Sequence, residues 1–360
     1  MRRIDEEPDP IPTEHPRRTP NLIGHASAVA ALRRAWDGGR MPHAWLIGGV
    51  AGIGKATLAY RFARFVLAGG PDGTGIDLPD GHPVLTRVAR AAHPDLRTIE
   101  RAFDDKRQRR RGEIVVDQVR AEAGLFALTA GGGWRVLIVD EADLMNANAA
   151  NALLKLLEEP PARSLLLLTA HRVGALLPTI RSRCRPLALA PLSAAEVAQA
   201  VAGRRPDHDA GARAVAVALA DGSIGRALAL LDGDGATLNR DLLACWAPDG
   251  QLLWERAWAL ADRAQRLDGD GFLMLERLLR GWLGRLARVA ASGGQGIDPA
   301  ERPRAEAIVR RYGLERILAM WENAGDLFQR ADGLNLQRRQ TVLAVFGALD
   351  PPTAPTKRPT

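Results

Sequence analysis

The stretch Gly49-Val-Ala-Gly52-Ile-Gly54-Lys55 decides the fold class of this chain. It follows an apolar run at 44–47 and opens onto residues 55–66, where Leu58, Phe62 and Phe65 recur at helical spacing. A glycine-rich turn between a strand and a helix lets successive backbone N–H groups converge on an anion, and the helix N-terminus adds partial positive charge. Lys55 supplies a full charge for the outer phosphates, so Gly49, Gly52, Gly54 and Lys55 form a candidate phosphate-binding loop. The next position should carry a hydroxyl that ligates Mg²⁺. Here it is Ala56, and Thr57 comes one place late. One residue rotates a helix by about 100°, so Thr57 is expected to point away from such a metal. Binding of ATP with Mg²⁺ is therefore expected to be weakened, and metal-assisted hydrolysis to be inefficient.

Outward from this loop, Val136-Leu-Ile-Val139-Asp140-Glu141-Ala-Asp143 reads as an apolar strand ending in two carboxylates. In a phosphoryl-transfer site Asp140 would hold a metal and Glu141 would orient an attacking water. Further apolar runs stand at 97–99, 164–169 and 186–189, and residues 147–157 place Ala150, Leu153, Leu154 and Leu157 on one helical side. Continuous apolar runs separated by helices predict a parallel sheet covered on both faces.

After Pro191 the texture changes. Ser193-Ala-Ala-Glu196 is a capping box that opens a helix. From there to about 231 the spacing is helical, with breaks at 207–209 and 221–222. Residues 237–349 again read as helical, with Trp254, Trp258, Leu275, Leu278, Leu279, Trp282 and Leu286 as apolar anchors of a core rather than platforms for bases. The expected division is a polar arm at 1–20, a P-loop domain at 21–190, a helical lid at 191–236, an all-α domain at 237–349 and a polar tail at 350–360, both ends reading as disordered.

The 360 residues carry a net charge of +7, which suits work near a polyanion but says nothing about fold. The basic run Lys106-Arg-Gln-Arg-Arg-Arg111 reads as a solvated loop more readily than as a DNA contact. Cys184 and Cys245 are too few for a four-thiolate zinc site, and His25, His43 and His171 show no ligand spacing. No apolar run approaches the roughly 18 residues of a membrane span, and the N-terminus has no signal-peptide core. A soluble cytoplasmic protein, with no membrane partner, is expected.

The order of motifs resembles the bacterial clamp-loader subunits of the AAA+ ATPases, which belong to a DNA-directed DNA polymerase (nucleotidyltransferase) holoenzyme. The resemblance rests on the phosphate loop after His43-Ala-Trp45-Leu and on Asp140-Glu-Ala-Asp143. It continues through Asn151-Ala-Leu-Leu-Lys-Leu-Leu-Glu-Glu-Pro-Pro161 and Leu177-Pro-Thr-Ile-Arg-Ser182-Arg183-Cys184, and more loosely at Leu334-Asn335-Leu336. It implies an AAA+ P-loop domain with a parallel sheet, a small helical lid and an all-α collar. It also implies that Arg183 is a finger reaching the ATP of a neighbouring subunit, and that Thr169 stands at a nucleotide-sensing position. The implied partners are the gamma and tau motor subunits and a delta subunit, with the sliding clamp and primed DNA reached through the complex.

Departures from the motif narrow the reading. The family's lid arginine belongs to Gly-Ser-x-Arg-x-Ala-Leu, whereas here Gly222-Ser-Ile-Gly225-Arg226-Ala-Leu228 has glycine in its place. The zinc module common in the family after the P-loop helix is replaced by the cysteine-free residues 69–83 and by His93-Pro-Asp95, so no zinc is expected. A damaged metal ligand and displaced lid arginine beside an intact Arg183 resemble the non-motor type of subunit. The alternatives are an ATP-hydrolysing gamma/tau-type motor or another AAA+ DNA-remodelling ATPase. Restoring the hydroxyl with Ala56→Ser is expected to leave turnover by the isolated chain slow, because the lid arginine stays displaced; a gain above about tenfold, equivalent to 1.4 kcal/mol of barrier, contradicts that reading.

Overall fold

The computed structural model describes residues 15–19, 21–104, 109–128, 133–292, 301–334 and 337–350. The expected arm at 1–14, Lys106-Arg107-Gln108 of the basic run, Asn335-Leu336 and the tail from 351 lie outside the described residues. Contacts divide the chain into two units, Met1–Ala200 with Asp221–Gly225, and Val201–Ala220 with Arg226–Thr360. Residues 191–236 thus contribute to both.

In chain order the first unit contains α1 (Ala26–Asp37), β1 (Ala44–Gly48), α2 (Lys55–Leu67), α3 (Pro83–Ala89) and β2 (Leu96–Ile99). It continues with the short antiparallel pair β3 (Phe103–Asp104) and β4 (Arg109–Arg110), then α4 (Val116–Leu128), β5 (Arg135–Val139) and α5 (Ala147–Glu158). The strands β6 (Ser164–Ala170) and β7 (Arg185–Ala188) flank α6 (Pro178–Arg183). The main sheet has the order β2-β5-β6-β1-β7, and every pair in it is parallel. All five apolar runs expected to be strands are strands, and both helices read beside them form.

The continuous apolarity of these strands follows from cover on both faces. Leu46, Leu137, Val139, Leu166 and Leu168 pack into one cluster with Val119 and Phe126 of α4, Leu153 and Leu157 of α5, and Ile180 of α6. The alternate residues Trp45, Ile47, Val136, Ile138, Leu165 and Leu167 are equally buried, and α2 contacts β1, β5 and β6. That helix buries Leu58, Phe62 and Phe65, the three residues its spacing singled out, together with Arg61 and Arg64, which spacing did not.

The capping box forms as read: Ser193 N donates to Glu196 Oε2 at 2.8 Å and Glu196 N donates to Ser193 Oγ at 3.3 Å. It opens α7 (Ala194–Arg204), and the two expected breaks precede α8 (Ala210–Leu219) and α9 (Ile224–Asp232). The second unit continues through α10 (Gly235–Leu243), α11 (Trp254–Arg266), α12 (Gly269–Ser292), α13 (Arg302–Leu334) and α14 (Arg338–Leu349). Its core joins Trp246 to Trp282 and Phe346 at ring separations of 6.3 and 5.6 Å. Leu275, Leu278, Leu279, Trp282 and Leu286 are buried as expected, while Trp254 and Trp258 are only half-buried and pack against each other.

The expectation of a disordered arm through residue 20 needs correction at its end. Residues 15–19 form a turn in which His15 and Arg17 are buried. Arg17 donates to the Tyr60 hydroxyl at 3.1 Å, and His15 Nε2 lies 3.3 Å from Glu100. Polar composition argued for disorder, but these particular polar groups find partners in the fold.

Among the described residues no helix is long and apolar enough to cross a membrane. Leu166, at the centre of the sheet and sealed from solvent, tests the packing: Leu166→Ala should lower stability by about 2–5 kcal/mol in urea unfolding.

Candidate functional site

Parallel pairing brings the C-terminal ends of β1, β5 and β6 to one edge of the sheet, and the candidate residues gather there. Gly48 at the end of β1 leads into the loop, where Gly52 (φ 73°) and Gly54 (φ 111°) adopt conformations that disfavour side chains. α2 begins at Lys55, so its first N–H groups face the same loop. The Lys55 Nζ donates to the carbonyls of Gly49 and Val50, each at 2.8 Å. Burial lowers its pKa to about 8, against the attraction of Asp140, Asp143 and Glu141. Thr57 lies half-buried in the first turn of α2.

Across the edge, the Thr169 hydroxyl donates to Asp140 Oδ1 at 2.6 Å and accepts from Glu141 N at 2.9 Å. One side chain on β6 thereby ties down both residues that end β5. Burial pushes the Asp140 carboxyl above its usual range, the Thr169 bond works against this, and Glu141 adds repulsion. Glu141 holds a left-handed backbone (φ 54°), and its Oε2 accepts from Arg101 Nε at 2.5 Å. His171 Nε2 is 3.9 Å from Glu141 Oε1, and burial followed by the charge of Lys55 keeps its pKa low. Asp143 accepts from the backbone N–H of His171 and of Arg172, both at 3.0 Å, fixing the turn after β6.

Arg101 was not singled out in the sequence. The register contains the signal: β2 pairs with β5 so that Ile99 stands opposite Val139, and residues two places beyond, Arg101 and Glu141, leave the sheet side by side. The clamp on the loop was also hidden. Ser223 Oγ donates to Ala51 O at 2.7 Å, and Gly225 N donates to Gly52 O at 2.9 Å. A Cβ on Gly225 would stand 2.7 Å from Gly52 Cα, a distance that real Cβ atoms do not reach. Glycine at position 225 is thus a steric condition of this contact.

The loop, Lys55 and the start of α2 suit phosphate oxygens, and the chemistry there would be charge neutralisation. The metal is a different matter. Ala56 offers no oxygen, Glu141 is engaged by Arg101, and among the described residues no three His, Cys, Asp or Glu side chains cluster as a metal site. These residues do not supply a full Mg²⁺ set.

Arg183 lies apart from this edge in sequence, as the last residue of α6. Its guanidinium donates to Thr179 O at 3.0 Å and pairs with Glu158 at 2.8 Å, while 35% of the side chain stays exposed. Glu158 closes α5 and belongs to the Glu-Glu-Pro-Pro stretch, so two motifs noted separately in the sequence meet.

A family model described as "DNA polymerase III, delta subunit" matches residues 24–193. The chain is 40% identical over 189 residues to the DNA polymerase III delta-prime subunit of Pseudomonas aeruginosa, covering 52% of this chain and 55% of that relative. It is 33% identical over 256 residues to the delta-prime subunit of Escherichia coli K12, covering 69% of this chain and 73% of the relative. It is 30% identical over 270 residues to the DNA polymerase III tau subunit of Salmonella typhimurium, covering 72% of this chain and 40% of the relative. The match to the Pseudomonas protein thus spans little more than half of its length.

The buried Lys55 gives a signed pH prediction. With a folded pKa near 8 against an ordinary 10.5, the unfolded chain holds more protons across that interval, so the cost of burying the charge disappears as pH rises from about 8 to 10.5. In urea unfolding, the stability of the wild-type chain relative to Lys55→Met should therefore rise over this interval; a flat difference removes the assignment.

Proposed function

As the chain belongs to the DNA polymerase III delta-prime subunit family, we propose that it is the non-motor subunit of a clamp loader and completes a neighbour's ATP site with Arg183. The observation that carries this reading is the contrast between two places on one domain. The chain's own phosphate site combines Ala56, an engaged Glu141 and a loop clamped by Ser223 and Gly225. Arg183 meanwhile is held at the surface by contacts that are easily exchanged.

The exchange has a physical basis. An exposed ion pair such as Arg183–Glu158 contributes about 0–1 kcal/mol. A triphosphate presented by another subunit offers a larger, multidentate charge, and a planar guanidinium suits its oxygens. Glu158 then acts as a rest that keeps the side chain extended before the partner arrives. Fingers of this kind stabilise the charge on a transferring phosphoryl group and can contribute about 10³–10⁵ in rate.

In this reading the helical second unit supplies the collar that assembles with gamma or tau motor subunits and a delta subunit. The assembly uses ATP to place a sliding clamp on primed DNA. The cytoplasm is the compartment of that work. The retained Lys55 and Asp140 favour a second reading, a subunit with turnover of its own. ATP consumption by the isolated chain that Lys55→Ala abolishes would support that alternative.

Arg183→Ala in a reconstituted loader should lower its ATPase at least about tenfold, the loss expected of roughly 1.4 kcal/mol of transition-state stabilisation, with assembly unchanged by gel filtration. Arg183→Lys should rescue little, since the ammonium lacks the planar fork. Wild-type turnover in both variants eliminates the finger role.

A further inference from the structure

Two turns along α2 from the phosphate loop, Arg61 and Arg64 lie one helical turn apart, both buried. They line a cavity of about 370 Å³ together with Arg17 and Arg18 of the N-terminal turn and the 76–80 segment.

The charges in this cavity do not balance. Four guanidiniums line it against two carboxylates, Asp77 and Asp80, and Arg17 also pairs at 3.7 Å with Glu100, which lies outside the lining. Asp77 pairs with Arg61. Arg64 is only 6% exposed, yet its terminal nitrogens donate to the neutral carbonyls of Thr19 and Arg17, and among the described residues no carboxylate pairs with it. The Nε atoms of both Arg17 and Arg64, sealed from solvent, find no acceptor among the described residues. Burial, and next the neighbouring Arg61, lower the pKa of Arg64. A buried cation without a counter-ion is costly unless an anion accompanies it.

We propose that this cavity is a second anion site, separate from the phosphate loop, which takes a phosphate group. With Arg17 paired to Glu100 and Arg61 to Asp77, Arg64 is the buried guanidinium that no carboxylate pairs among the described residues, and a phosphate oxygen suits it as an acceptor. Guanidinium forks suit phosphate oxygens in pairs. The apolar lining from Ile76, Leu78, Leu85 and Ala89 gives the rest of a small phosphorylated molecule somewhere to lie. The site shares no lining residue with the loop at 49–55 and does not rest on the proposed role of Arg183. The phosphate can come from a free nucleotide or from the end of a nucleic-acid strand.

The test is isothermal titration calorimetry of pyrophosphate into the full chain carrying Lys55→Ala, which silences the phosphate loop. One equivalent should bind. Arg64→Gln in the same background should weaken binding at least tenfold. Asp77→Asn should tighten it at least threefold by removing a competing carboxylate, and a gain of affinity is an outcome that misfolding cannot imitate. Displacement of pyrophosphate by a nucleoside monophosphate, or by a 5′-phosphorylated oligonucleotide but not its unphosphorylated twin, identifies the source. No saturable binding in the Lys55→Ala chain, or equal affinity in the Arg64→Gln and Asp77→Asn variants, overturns the proposal.

Discussion

Five parallel strands, the central three buried on both faces, bring their C-terminal ends to one edge, and the chemistry of the first unit depends on that constraint. The backbone groups at this edge are no longer paired in the sheet, so loops and side chains must satisfy them. Thr169, at the end of β6, shows how economically this is done. Its hydroxyl accepts from the Glu141 amide while donating to Asp140, so a strand end becomes a fixed pair of carboxylates. Lys55 performs the same service for the loop carbonyls of Gly49 and Val50. The groups that suit a phosphate are therefore also those that hold the edge together.

Much of this was legible in the sequence because the relevant signals are local. The apolar runs of β1, β5 and β6 became strands covered on both faces, and runs of four to six apolar residues are the length of a strand rather than of a helix. The Ser193–Glu196 box formed because both of its bonds lie within one helical turn. The glycine-rich loop was readable because its conformations need glycine at fixed places, as the positive φ at Gly52 and Gly54 illustrates. Belonging to the first unit rather than to a separate arm could not be read for His15 and Arg17. Their composition is that of a tail, and their partners, Glu100 and Tyr60, lie far along the chain.

The parts that escaped reading are all non-local. Arg101 reaches Glu141 only through the register of two strands separated by a helix. Arg61 and Arg64 sit in a helix whose apolar stripe accounts for itself without them, and nothing near them in sequence announces a cavity. The pairing of Arg183 with Glu158 joins a strand-preceding helix to the end of another, some two dozen residues earlier. Periodicity describes which way a side chain faces; it does not say what waits there.

The backbone contact between Gly225 and Gly52 constrains what substitution can do to this protein over time. Because Gly52 Cα lies 2.7 Å from where a Cβ on residue 225 would begin, no side chain enters before the two segments separate. A single codon change to arginine at that position therefore meets a collision instead of a benefit. An arginine is accommodated there only after an earlier loosening elsewhere, such as loss of the Ser223 bond to Ala51. The contact thus makes substitution at position 225 conditional on a change at a second place.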